Sequence, residues 1–210
     1  GLLVAFTLTS AQQQFDDSRF EFSHYRTYTG QLHLTPYPTL RTLQGDYILV
    51  APGKHGATPM VNRFAEQTVK LWGALIEHDS DRMLELDTRP IEITGTPQPL
   101  PPVLEDRFAT VEMAGEIVDS KCYLGVMNPG RGKVHRDCAA RCISGGIPPA
   151  LLVRDAGGKP RLFLLLDRKD ENPGRRLLPL VGEPIRVRGA ISRKGGNWIL
   201  RADPESFTRE

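Results

Sequence analysis

Short runs of alternating hydrophobic and polar residues recur along the chain, and they predict β-strands rather than helices. The stretch VKLWGALIEHDSDRMLEL, which starts at Val69, alternates through a glycine, reaches a polar cluster and resumes with Met83-Leu84. A period of two is what a strand needs when one face is buried and the other meets solvent. Because a polar cluster between two such runs is a turn signal, the stretch predicts a β-hairpin.

A second stretch, IRVRGAISRKGGNWILRA from Ile185, repeats this hairpin pattern. Gly73 and Met83 are ten residues apart, and so are Gly189 and Ile199. Each run also passes through a Gly-Ala pair at the same place. The two stretches therefore predict matching hairpins, and an internal repeat of this size constrains the whole fold.

Upstream of the hairpins the repeat continues, but its spacing changes. The segment TYTGQL around Gly30 resembles EMAGEI around Gly115, and DYILVAPGK resembles RLFLLLDRK. Gly30 and Tyr47 are 17 residues apart, whereas Gly115 and Phe163 are 48 apart, so the second copy carries 31 extra residues at one place. This difference indicates an insertion into the second copy.

The pattern as a whole predicts an all-β protein made of two tandem small OB-like barrels, with a two-sheet sandwich as the alternative. Glycines inside the strands suit the bends that let a short sheet close. The predicted parts are a first barrel over residues 23–95, a proline-rich linker over 96–106, and a second barrel over 107–210 with an inserted segment at about 119–150.

Residues 1–22 begin with the apolar run from Leu2 to Leu8 and then become polar. The run is shorter than the roughly 20 residues that cross a bilayer. It predicts the outer end of a membrane anchor or the remnant of a signal peptide, with the barrels on the periplasmic or extracytoplasmic side, or secreted after cleavage. A buried N-terminal strand or helix is the alternative.

Charge and motifs exclude several functions. The formal net charge is +2, from 27 basic and 25 acidic residues. So small a charge produces no broad positive electrostatic field that would attract nucleic acid, and we expect no nucleic-acid partner. No nucleophile elbow, paired-carboxylate setting or dinucleotide fingerprint is present, so little favours an enzyme. The loop APGKHGA lacks the ending of a P-loop, and we interpret it as a plain connection. His24, His33 and His78 are expected at the surface.

The inserted segment holds all three cysteines of the chain. A helix is predicted from Val134 to about Ile143, ended by two glycines and two prolines. His135, Cys138 and Cys142 then lie at positions i, i+3 and i+7 and project from one face. A glycine-rich loop can bring Cys122 over that face.

Three thiols and an imidazole are a ligand set for tetrahedral zinc. The spacing C(x12)H(x2)C(x3)C therefore predicts a metal site formed by Cys122, His135, Cys138 and Cys142. Other residues are candidates for a supporting role. Asp119 and Asp137 are candidate acceptors for the His135 ring, Met127 is a further candidate, and four basic residues would offset the thiolate charge or form a solvated surface: Arg131, Lys133, Arg136 and Arg141.

Other interpretations use the same residues. Copper is an alternative ion, because soft sulfur suits Cu(I) and Met127 could join the thiols. A 2Fe-2S cluster would also find four ligands here. Cys138 and Cys142 could form a redox dithiol without metal, or could pack the helix as small buried hydrophobes.

The segment DSKCYLGVMNPGRGKVHRDCAARCISGGIPPALLV resembles a motif of uncharacterised bacterial proteins, exported or membrane-anchored, that contain small β-barrel domains. The resemblance covers the second half of the chain best, from about Gly115 to Asp203. It implies a shared site at Cys122, His135, Cys138 and Cys142, and it implies no particular activity.

Two functional hypotheses follow. In the first, the chain is a non-catalytic tandem-barrel module, stiffened by zinc, that serves a larger membrane-bound redox or respiratory complex as an accessory or structural subunit. In the second, the Cys and His residues form a copper or iron–sulfur electron carrier or a thiol redox centre.

Overall fold

The computed structural model describes residues 18–95, 100, 102–155 and 157–210, and it places two β-sheets there. The first sheet contains β1 (Ser18–Phe20), β2 (Arg26–His33), β3 (Thr39–Thr42), β4 (Gly45–Val50), β5 (Thr68–His78), β6 (Asp81–Leu86) and β7 (Glu92–Ile93). The second contains β8 (Glu105–Asp119), β9 (Pro149–Arg154), β10 (Pro160–Leu166), β11 (Pro184–Lys194), β12 (Asn197–Arg201) and β13 (Thr208–Arg209). The α-helices are α1 (Thr58–Val61), α2 (Arg136–Ser144) and α3 (Gly174–Leu177).

Each sheet closes on itself through five strands in the same order. The first runs β2-β3-β4-β6-β5 and returns to β2, and the second runs β8-β9-β10-β12-β11 and returns to β8. Each barrel has one parallel pair, β4 with β6 in the first and β10 with β12 in the second. Ile48 pairs with Met83, and Leu164 pairs with Ile199. The other pairs in each barrel are antiparallel. The prediction of two OB-like barrels is therefore confirmed, and the paired positions are those of the repeat.

Glycines allow these short sheets to curl. A Cβ atom on Gly30 would lie 2.1 Å from the carbonyl oxygen of Arg41, and one on Gly115 would lie 2.5 Å from that of Leu152. Each glycine sits in the first strand of its barrel and faces the backbone of the next strand. A side chain there would hold the two strands apart.

The two barrels differ in the loop between their first and second strands. Residues 34–38 join β2 to β3, whereas residues 120–148 join β8 to β9. The longer loop, called the insertion below, contains a π-type turn at Cys122–Val126, a 3-10 turn at Lys133–His135 and then α2. The predicted helix is present, but α2 begins at Arg136 because the preceding residues form the tighter 3-10 turn.

Apolar side chains form a core inside each barrel and a third core between the barrels. The third core joins residues of the first barrel to residues of the insertion and of the second barrel. Its members include Tyr37, Ile48, Ile76 and Met83 on one side and Tyr123, Leu124, Ile147 and Leu164 on the other. The Tyr37 hydroxyl also donates a hydrogen bond across this boundary to the carbonyl oxygen of Leu165. The insertion thus packs between the two barrels.

Most of the predicted N-terminal anchor lies outside the described residues, and so do residues 96–99 and 101 of the proline-rich linker. Strand β1 falls within the segment predicted as anchor remnant and linker, and it pairs with β5. Within the described ranges, no helix has the length and apolar character that a membrane crossing requires.

Candidate metal centre

Three thiols meet in the insertion. The Sγ atoms of Cys122, Cys138 and Cys142 all lie within 4.8 Å of one another, and all three cysteines are free of disulfides. Cys122 comes from the turn after β8, and the other two are one helical turn apart on α2. Cys122 and Cys142 are buried, whereas Cys138 is partly exposed. Three clustered sulfur donors could hold a soft or borderline metal ion.

His135 adjoins this cluster and is held by a carboxylate. It is buried in the 3-10 turn before α2, and its Nε2 lies 3.0 Å from Oδ2 of Asp119. Oδ1 of Asp119 accepts a hydrogen bond from the backbone N–H of Cys122 at 2.8 Å. Asp119, Cys122 and His135 form a second group whose ligand atoms lie within 4.8 Å of one another. A carboxylate that is hydrogen-bonded to a histidine in this way orients the ring for metal coordination.

Cys122 belongs to both groups, so the structure brings all four predicted ligands to one region. His135 shares its group with Asp119 and Cys122, while Cys138 and Cys142 belong to the all-thiol group. A single centre that uses all four ligands stays a prediction. The other candidates are exposed and belong to neither group: Asp137 is in the first turn of α2, and the side chain of Met127 is 47% exposed.

A lysine of the first barrel completes the surroundings of the thiols. Lys54, in the loop after β4, places its Nζ 2.7 Å from Sγ of Cys138 and 3.8 Å from Sγ of Cys142. The hydrogen bond to Cys138 raises the pKa of the Lys54 ammonium. In the described part of the chain, no carboxylate forms an ion pair with Lys54. Its positive charge is therefore directed at the sulfur atoms.

The insertion's own basic residues do not have this role. Arg136 and Lys133 approach the carboxylate of Glu183, at 3.1 Å and 3.9 Å. Arg131 and Arg141 are exposed. Among the described residues, the contact that could offset thiolate charge comes from the other barrel.

One backbone hydrogen bond and two close backbone approaches hold the Lys54 loop against the end of α2. The N–H of Gly56 donates a hydrogen bond to the carbonyl oxygen of Gly145 at 2.9 Å. A Cβ atom on Gly145 would lie 1.9 Å from the carbonyl oxygen of Lys54, and one on Gly56 would lie 2.3 Å from that of Gly146. From the sequence, these glycines predict only a helix end and a plain loop. Glycines on both segments were the one signal that could have linked them.

The thiols influence one another's protonation. The hydrogen bond between Cys122 and Cys142 raises the pKa of Cys122, and burial adds to that rise. The same bond lowers the pKa of Cys142, and the nearby Lys54 charge lowers it further. Of this buried pair, Cys142 is the residue that loses its proton more readily, as a metal ligand or a reactive thiol must.

Lys121, next to Cys122, reaches into the wall of the first barrel. Its side chain is almost completely buried, and its Nζ lies 2.5 Å from Oε2 of Glu85. It also donates hydrogen bonds to the carbonyl oxygens of Ala51, at 2.9 Å, and Gly53, at 2.6 Å. Three acceptors thus match the three donors of a lysine ammonium. Sequence reasoning missed Lys121, because no local pattern marks a lysine that will be buried by another domain.

The expectation of a surface position is wrong for His78. Its ring is 7% exposed and stacks on the ring of Tyr123, with centroids 5.3 Å apart. His78 ends strand β5, and the insertion covers that end of the strand. The burial arises from the contact between barrels, which the local polar pattern does not reveal.

Comparisons with family models, with curated proteins and with solved structures all find no match to this chain. The class is therefore defined by fold and site alone: an all-β protein of two OB-like barrels whose insertion carries a thiol cluster that could hold a metal ion. The resemblance of the insertion to a bacterial motif stays a prediction.

Proposed function

We propose that this protein is a non-catalytic metal-binding module and that zinc is its ion. The observation that carries the proposal is the cluster of three free thiols within 4.8 Å, contributed by both ends of one insertion. Zinc suits such a site because it needs only a tetrahedral set of thiolates and imidazoles and has no redox chemistry. A buried site of this kind stabilises the segment that carries it.

The donor set fits the ion. Cys122, Cys138 and Cys142 would supply three thiolates, and His135, which is grouped with Cys122, would supply an imidazole. Because Nε2 is hydrogen-bonded to Asp119, Nδ1 would be the ring nitrogen available to the metal. A metal bound by these ligands would tie the turn after β8 to helix α2.

The proposal extends to the setting in which the module acts. We propose an accessory or structural subunit of a membrane-associated redox or respiratory complex, tethered by the N-terminal segment on the extracytoplasmic side. Apolar side chains exposed on the insertion support a docking role, namely Val134, which is 87% exposed, and Met127. Covering an exposed apolar side chain with a partner removes it from water and lowers the free energy of the complex.

A redox role for the same residues is the second candidate. Copper, a 2Fe-2S cluster or a thiol pair would each use Cys138 and Cys142. Two observations favour this alternative. The pKa of Cys142 is lowered, first by its hydrogen bond to the Cys122 thiol, and Cys138 is partly exposed.

Elemental analysis of the purified full chain separates the two candidates. A colourless protein with about one zinc per chain supports the structural module, since a d10 ion gives no visible bands. Stoichiometric copper or iron with visible absorption supports the electron carrier. A metal-free protein with a reversible thiol reaction supports the dithiol and contradicts the zinc proposal.

The Cys142→Ser variant tests whether the metal stabilises the fold. It should bind less zinc and should lose about 4 kcal/mol of stability when free zinc exceeds the wild-type dissociation constant a thousandfold. Thermal unfolding of both proteins, with zinc and with a chelator, measures this effect. The wild type in chelator is the matched control, because it should unfold close to the variant. Equal stability of the wild type with and without zinc would contradict the proposal.

A further inference from the structure

The charge of the thiol site is the starting point. Three thiolates around one divalent ion carry a net negative charge, and a buried charge without a partner is costly. The site therefore calls for a nearby cation. The insertion's own basic side chains are exposed or already paired, Lys133 and Arg136 with Glu183 and Lys121 with Glu85.

The first barrel supplies the cation. Lys54 lies within hydrogen-bond range of two of the three sulfurs, and it has no carboxylate partner among the described residues. Its loop is also fixed from both sides by the insertion. Gly56 bonds to Gly145, and Lys121 bonds to the carbonyl oxygens of Ala51 and Gly53.

We propose that Lys54 is the charge-compensating partner of the metal centre, so that metal binding in the second barrel clamps loop 51–56 of the first barrel. This inference rests on the proposed metal-binding function. Lys54 is a positioning residue here, since it acts on the sulfur ligands and not on the ion. The metal centre is then a device shared by both barrels.

Zinc affinity of the full chain, measured by competition with a coloured chelator, is the first test. Lys54→Met should weaken zinc binding about 10- to 100-fold, the usual effect of losing a partner of a metal ligand. Lys54→Arg keeps the charge and should restore most of the affinity. Lys133→Met is the matched control, because it removes the same charge from an exposed side chain of the insertion, and it should bind zinc like the wild type.

Hydrogen exchange gives a readout that simple destabilisation would not reproduce. In the wild type, exchange at the Gly56 amide should be about tenfold slower with saturating zinc than without zinc. This is the effect expected when a hydrogen bond between Lys54 and the charged thiolates holds the loop. The Lys133→Met chain should show the same slowing. The Lys54→Met chain, also saturated with zinc, should show none.

The outcomes separate this inference from the function on which it rests. A wild-type chain that binds no zinc would overturn both. A wild type that binds zinc, with unchanged affinity and unchanged Gly56 protection in Lys54→Met, would overturn the clamp and leave the metal module standing.

Discussion

The two barrels have the same strand order, and they differ most in one loop. The first barrel joins its first two strands with residues 34–38, while the second uses residues 120–148. Both barrels close, so closure does not need the longer loop. The insertion instead supplies the thiols, part of the core between the barrels and the buried Lys121. A loop of a duplicated barrel has thus acquired both a site and a domain contact.

The comparison also shows how the pair of barrels is joined. An apolar core between them contributes non-directional attraction, which permits many relative orientations. The polar contacts of Lys121, Lys54 and the facing glycines specify one orientation, because each needs its partner at a fixed place. Three predictions follow from this comparison: one tests how the barrels are joined, and two test how equivalent positions in the two barrels differ.

The largest effect is expected for Lys121→Met. The change leaves the Glu85 carboxylate buried without its cation, and breaking a buried ion pair in this way typically costs about 3–5 kcal/mol. Urea unfolding of the full chain measures the loss. Lys70→Met is the control in the first barrel, since its exposed pair with Glu92 should contribute less than about 1 kcal/mol. Similar small losses for both variants would show that Lys121 does not join the barrels.

A medium effect is expected from a pair of equivalent glycines. A Cβ atom on Gly189 would lie 2.5 Å from the carbonyl oxygen of Arg201, whereas one on Gly73 would lie 3.2 Å from Cβ of Leu84. Gly189→Ala should therefore destabilise the chain by about 1–3 kcal/mol through overpacking. Gly73→Ala should be nearly neutral, because reduced freedom of the unfolded chain offsets a mild contact. Thermal unfolding compares them, and equal effects would mean that the two barrels are equally tight there.

The smallest effect concerns Asp81, whose counterpart in the second barrel is Asn197. Burial raises the pKa of Asp81 from 3.8 to about 6. The folded chain then keeps a proton that the unfolded chain releases between those values, so stability falls as pH rises from about 4 to 6.

Asp81→Asn should remove that part of the pH dependence and stabilise the chain at pH 7 by about 1–2 kcal/mol, after allowance for solvent screening. Urea unfolding at several pH values, wild type against variant, measures the difference. A stability difference that is constant from pH 4 to 7 would contradict the assignment.

Local pattern predicted the architecture. The alternation around Val69 and Ile185 and the matching intervals from Gly73 to Met83 and from Gly189 to Ile199 depend on residues close in sequence, and the strands follow them. The same holds for the helix that carries Cys138 and Cys142. Regular strands and helices are repeated local conformations, so their periodicity is written along the chain.

By itself, the sequence determined the duplication, the barrel class, the place of the insertion and the residues able to bind a metal. Only the tertiary structure decided that Lys54 faces the thiols, that Lys121 enters the first barrel and that His78 is buried. The physical reason is distance along the chain. Lys54 and Cys138 are 84 positions apart, and no local pattern encodes such a contact until two folded barrels pack against each other.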